Sequence, residues 1–317
     1  MSNILLEELK AEMKIKPEKV VLSLENFIRE YTEKLERKGV ILGLSGGVDS
    51  AVVAAIGRHA LGPKKVLALI MPEKDSKKEH TQDALNLAQE LGIDTKLINI
   101  TPYLEELGVY KLFPWDKTLS WGRLKGVLVK KAYHFYERKT GKIPFLESLS
   151  GFEDKEYSSY LARGNAYYRA KHRLRMLLLY LYGELENRLV VGAANKSEYK
   201  IGYFVKHGCD DATDIMPLLN LYKTQVREMA RHLNIPSRII EKPPSPDVMP
   251  GLNDDEEVMG ISYEKMDLIL LALEKGWKIA TIVKDLGIEE DRIIYIKRLM
   301  QKSEHMRRIF IPENYSS

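Results

Sequence analysis

The sequence predicts an α/β fold: a parallel sheet sandwiched by helices, with a partly helical insertion and a helical C-terminal region. Three observations predict it. Short apolar runs alternate with stretches of helical periodicity over the first hundred residues, a Gly-rich turn joins the first such run to its helix, and another apolar run follows a long interruption, at Arg188–Ala193. Strands that alternate with helices become parallel and are covered on both faces.

Each element has its own signal. Met1 to Lys16 is charged and helix-like, without the uninterrupted apolar stretch of a signal peptide. From Pro17 to Lys38, Val20, Val21, Leu24, Phe27, Ile28, Tyr31 and Leu35 recur at helical spacing and give a covering helix. Val40–Leu44 is a buried strand, and the apolar residues after Ser50 form a buried helix. The pattern repeats with a strand at Lys65–Met71, a helix at Ser76–Leu91 closed by Gly92, and a strand at Thr95–Ile100. The rhythm then breaks. From about Leu107 to Leu161, Trp115, Trp121, Tyr133, Tyr136 and Phe145 are mixed with Lys, Gly and Pro, which predicts an inserted lid or interface element, or else an added packing subdomain. A helix at about Asn165–Asn187 leads into the strand at Arg188–Ala193, a further strand is expected near Ile215, and Tyr222–Leu233 is a helix. The proline-rich stretch Glu241–Asp247 is a loop, because proline lacks the backbone donor. Three short helices are expected between Ser262 and Gln301. Residues 1–317 are expected to form one catalytic domain.

Composition narrows the function classes. A formal charge of +4, from 49 basic against 45 acidic residues, is too small for a dedicated nucleic-acid binder. The single cysteine, Cys209, forbids an internal disulfide and a Cys-based zinc cage, and favours a cytoplasmic location. No run approaches the roughly 20 apolar residues of a membrane span.

The sharpest signal is the turn Gly43-Leu44-Ser45-Gly46-Gly47-Val48-Asp49-Ser50. Adjacent glycines between strand and helix let backbone N–H groups approach a ligand at the positive end of the helix, a geometry that holds phosphate. Asp49 would repel phosphate directly but suits a magnesium ion bridging to it. The plainer alternative is a Gly-Gly turn whose Asp and Ser cap the helix.

The turn resembles the SGGxDS loop of the ATP pyrophosphatase superfamily, whose members adenylylate an oxygen and release pyrophosphate. Val190-Val191-Gly192-Ala193-Ala194-Asn195-Lys196-Ser197-Glu198 resembles a stretch of the ammonia-dependent NAD synthetases within it. Gly202–Gly208, Asp214–Leu218, Leu221–Val226, Lys242–Asp247 and Gly260–Tyr263 continue that likeness in order. The resemblance implies an adenine-nucleotide α-hydrolase-like, Rossmann-like sheet and an amide synthetase that uses ATP, Mg2+, deamido-NAD and free ammonia. It further implies that Gly43 to Ser50, Ala193, Lys223 and Ser245 contact ATP, and that Asp49 and Glu198 ligate magnesium. Arg173, Lys206, Asp214, His305 and Met306 would hold the dinucleotide, and Asp49, Lys206 and Lys223 would serve catalysis. A homodimer is implied too; a separate glutaminase remains open, and neither nucleic acid nor membrane is expected. A paralogue amidating nicotinate mononucleotide is the alternative.

Departures gather on the dinucleotide side. Ala193 stands where the family usually has threonine, the approach to Arg173 is longer, one extra residue lies between Lys206 and Asp214, and Met306 replaces a lysine. Outside the motif context, Glu198 could be a solvated helix-start carboxylate and Lys223 a surface lysine.

Overall fold

Alternation along the strands decides how the sheet is buried. In this computed structural model, which describes residues 2–112, 122–149, 158–243 and 255–312, the chain opens with α1 (Ser2–Met13) and α2 (Pro17–Lys34), then β1 (Gly39–Gly43) and α3 (Val48–Leu61). There follow β2 (Val66–Ile70), α4 (Lys78–Leu91), β3 (Asp94–Leu97) and the short α5 (Thr101–Glu106). All strand pairings are parallel, in the order β3-β2-β1-β4 with β4 at Arg188–Val191. Val40, Leu42, Val66, Ala68, Leu189 and Val191 bury one face of the sheet with α2 and α3, whereas Ile41, Leu67, Leu69 and Val190 bury the other. β2, apolar and buried at every position, is the consequence of two covered faces, whereas β3 at the sheet edge is polar and largely exposed.

The stretch expected to be an insertion contains α6 (Gly122–Thr140) and α7 (Pro144–Ser148), and the second face is roofed by α8 (Ser158–Glu186), which begins about two turns before the expected Asn165. Trp115 and Trp121 lie outside the described residues. After β4 come α9 (Lys196–Ile201), α10 (Lys223–His232), α11 (Ser237–Ile240) and α12 (Asp255–Met259). The expected strand near Ile215 is a single parallel bridge to Val191. Pro217 follows closely and has no N–H with which to continue a ladder.

The C-terminal helices α13 (Tyr263–Glu274), α14 (Ile279–Leu286) and α15 (Glu290–Lys302) are the three expected ones. With α1, α7 and α9 they enclose a second apolar cluster around Met259, Tyr263, Ile269 and Ile293. That cluster places Tyr263 and Asp267 against the start of α10, where the site is built.

Candidate active site

β1 occupies the position from which the chain winds outward to β2 and β3 on one side and to β4 on the other, so a crevice opens beyond its C-terminal end. The turn from Gly43 to Ser50 lines this crevice, a cavity of about 740 Å³. Gly46 has φ +80°, and a Cβ there would stand 2.2 Å from the His80 carbonyl oxygen. Gly47, just ahead of α3, has φ −94° and would bring a Cβ to 3.3 Å from the Ser45 hydroxyl. Ser45 Oγ accepts the Gly47 N–H at 3.2 Å and lies 3.0 Å from Ser50 Oγ, which fixes both hydroxyls in the turn. Leu44 and Val48 bury their side chains and leave backbone to the cavity.

A buried cation joins the turn to two later segments. Lys223, the first residue of α10, is 2% exposed; its Nζ lies 2.5 Å from Asp49 Oδ2 and 3.0 Å from Glu198 Oε1. Asn195 donates to Asp49 Oδ1 at 3.0 Å while its own Oδ1 caps α9 by accepting the Glu198 N–H at 3.0 Å. Tyr263 donates its hydroxyl to Glu198 Oε1 at 3.1 Å. Neither the solvated Glu198 nor the surface Lys223 survives this geometry. Two carboxylates that converge on one ammonium supply hard oxygen donors of the kind Mg2+ takes, so the residues present fit that ion.

Three supports lay beyond the sequence reading. Asn195 stood in the sequence only as one residue of the Val190–Glu198 motif, three residues ahead of Glu198. Lys242 donates to the Gly46 carbonyl at 3.2 Å and pairs with Asp83, a contact that joins segments distant in sequence. Asp267 is buried; it accepts Thr224 N–H and Oγ1 at 3.0 and 2.8 Å and Ser197 Oγ at 2.5 Å, and Ser197 in turn accepts the Lys223 N–H. Burial pushes the Asp267 carboxyl up to about 6 against the pull of those hydrogen bonds. Ala193 lines the cavity near the turn, whereas Ser245 lies outside the described residues.

The residues expected to hold the dinucleotide sit elsewhere. Exposed Arg173 donates to the Lys206 carbonyl at 3.2 and 3.4 Å, and Lys206 Nζ donates to the carbonyls of His305 and Arg308 at 2.8 and 2.9 Å. Arg173, Lys206 and His305 are therefore brought together, but outside the cavity lining. Asp214 accepts the Val190 N–H at 2.8 Å and the Tyr180 hydroxyl at 3.1 Å, beside the end of β4. Met306, also expected at the substrate, buries its apolar side chain in the second cluster, where a thioether packs favourably. His172, Arg175, Cys209 and Asp210, from the same two segments as Arg173 and Lys206, do line the cavity. Burial pushes the Cys209 thiol up, so it is no poised nucleophile.

A parallel sheet with a glycine turn at its switch point and a carboxylate pair across from it defines the class of nucleotide-binding α/β enzymes. Within that class the match is specific: the family model for NAD synthase covers residues 20–114 and 131–310. The chain belongs to the NAD synthase family, and it is a carbon–nitrogen ligase of the amide synthetase type. It is 42% identical over 287 residues to an NH3-dependent NAD+ synthetase of Thermotoga neapolitana, covering 90% of this chain and 93% of that one. It is 37% identical over 290 residues to the enzyme of the same description from Methanocaldococcus jannaschii, covering 92% and 94%. Among solved structures it resembles NMN synthetase from Francisella tularensis (TM-score 0.68, 27% identity, 95% of this chain and all of that one). It also resembles NH3-dependent NAD synthetase from Campylobacter jejuni (TM-score 0.65, 27% identity, 96% of this chain and all of that one).

Proposed function

We propose that this chain amidates the nicotinate carboxylate of deamido-NAD with free ammonia, consuming ATP and releasing AMP and pyrophosphate. The observation that carries the reading is the convergence of Asp49 and Glu198 on Lys223 beside the glycine turn. In the first step the substrate carboxylate attacks the α-phosphorus of ATP and pyrophosphate leaves. Backbone N–H groups of Gly46 and Val48 receive the phosphates, and Ser45 and Ser50 donate to their oxygens. Lys223 Nζ, which bridges the two carboxylates beside the turn, would neutralise charge on the leaving pyrophosphate. Mg2+ held by Asp49 and Glu198 would supply further charge neutralisation there. In the second step ammonia attacks the acyl carbon, AMP leaves, and a proton is lost to give the amide. No protein nucleophile is required.

Residues 1–317 act as one catalytic domain in this reading, and Ser245 adds an ATP contact. Arg173, Lys206, Asp214 and His305 hold the dinucleotide at a surface that a second copy completes. Exposed Leu177, Leu181 and Leu185 on α8 continue from Arg173 at four-residue spacing, which supports a homodimer packed on that helix. The enzyme works in the cytoplasm; no described helix is long and apolar enough to cross a membrane. Likeness to an NMN synthetase supports a second reading, with nicotinate mononucleotide as the acid. Product analysis tests the mechanism common to both: with ATP, magnesium, ammonium and deamido-NAD, AMP and amide should form in equal amounts. ADP formation, or AMP formation independent of any acid, would overturn it.

A further inference from the structure

His172 on α8 and the adjacent Cys209 and Asp210 face one another in the wall of the cavity that Asp49 and Glu198 also line, and form a donor cluster that includes neither carboxylate of that pair. Three different donor atoms meet there. His172 Nδ1 lies 2.8 Å from Asp210 Oδ2 and 3.4 Å from Cys209 Sγ, and Cys209 Sγ lies 3.6 Å from Asp210 Oδ1. We propose that His172, Cys209 and Asp210 form a binding site for a borderline-soft divalent transition ion, for which Zn2+ is the probe, separate from the magnesium-binding carboxylates.

The spacing fits tetrahedral coordination. Zinc bonds of about 2.3 Å to sulfur, about 2.05 Å to nitrogen and about 2.1 Å to oxygen imply ligand separations of roughly 3.6 Å for S–N and S–O and roughly 3.4 Å for N–O. The Sγ–Nδ1 and Sγ–Oδ1 separations already match to about 0.2 Å. The Nδ1 contact is to the other carboxylate oxygen, Oδ2, so the Asp210 carboxylate turns to offer a single oxygen when a cation replaces the shared proton.

Backbone contacts hold the donors in place beforehand. The Cys209 N–H donates to the His172 carbonyl at 3.2 Å, tying the loop to α8 at the ligand positions themselves. Gly208 permits the approach, since a Cβ there would stand 3.0 Å from His172 Cβ. Binding balances simply: Cys209 releases its thiol proton to solvent, His172 takes the Nε2–H tautomer and offers the Nδ1 lone pair, and Asp210 binds as carboxylate. Three protein ligands leave one position for water or for an oxygen of a bound ligand. Sulfur and imidazole together select zinc-like ions over Mg2+, which prefers oxygen alone. The cysteine is the residue on which this selectivity turns, and it lies in the segment one residue longer than the family pattern.

The test is metal binding by the full chain, stripped of metal and held in excess Mg2+. Zn2+ should be withdrawn from a chromophoric chelator at one equivalent, and Co2+ should give the near-ultraviolet band of a cobalt thiolate. Cys209→Ser should abolish the band, and Cys209→Ser and His172→Asn should each weaken Zn2+ binding by at least ~10-fold, the lower end of what losing even an outer-shell partner costs. An Asp49→Asn/Glu198→Gln double variant should keep both signals. A wild-type protein that shows no cobalt thiolate band overturns the proposal whether or not any variant folds. So does Zn2+ binding that persists in Cys209→Ser but vanishes in the carboxylate double variant.

Discussion

Gly46 and Gly47 look alike in sequence but carry different loads. Any side chain at Gly46 meets backbone at 2.2 Å from a left-handed conformation, so Gly46→Val should destabilise the fold itself. Gly47 faces the cavity with extended backbone and meets only a hydroxyl, so Gly47→Val should keep its melting temperature and lose ATP affinity. Calorimetric titration with ATP beside thermal melts separates the two; unchanged affinity in Gly47→Val would count against the loop as a phosphate site. Asp49→Asn and Glu198→Gln, which nearly preserve shape, should each lower kcat by at least ~100-fold, in the range of losing one preorganised electrostatic contact. Near-normal turnover in either would remove it from the metal site. Much of this was legible at residue level because the motif residues are short-range neighbours of a turn or cap. Lys242 and Asp267 were not, since their contacts with Gly46 and Thr224 exist only after distant segments pack.

Among the elements, the junction of α10 with α13 has a measurable pH signature. Asp267, buried by the second cluster, carries a folded pKa of about 6, above the ordinary aspartate value of ~3.9. A raised carboxylate pKa means that the folded state holds the proton more tightly than the unfolded chain. The resulting stabilisation is fully present below about pH 4, is lost as pH rises to about 6, and amounts to roughly 3 kcal/mol. Asp267→Asn lacks this titration. Urea unfolding from pH 4 to 6.5 should therefore show the variant gaining on the wild type by about that amount, and a pH-independent difference would refute the shift. Element order was largely readable from periodicity, because both-face burial makes the central strands β1 and β2 apolar. The errors lay where tertiary contacts decide. α8 extends back into the insertion, and the segment at Ile215 makes one bridge because its backbone turns away at Pro217. Nor does spacing reveal that α6 and α7 bring Tyr133, Tyr136 and Phe145 to the cavity wall.

For the whole molecule, the proposed homodimer face and the proposed acid site meet on α8, where exposed leucines continue from Arg173. Leu177→Glu combined with Leu181→Glu should convert a dimer to monomer in sedimentation velocity and raise KM for the acid more than for ATP; a variant that stays dimeric would move the interface elsewhere. The residues expected to hold ATP and magnesium line one chain's crevice or border it, but most of those expected to hold the acid gather outside it, so the identity of the acid is the central claim. A hydrogen bond to a charged group is worth about 1.5–3 kcal/mol, so a site built for the dinucleotide should prefer it to nicotinate mononucleotide by at least ~10-fold in kcat/KM. Steady-state kinetics with both acids, at saturating ATP, ammonium and magnesium, measure this directly. The account predicts that preference for deamido-NAD; a preference for the mononucleotide would contradict it while leaving the amide-forming mechanism in place.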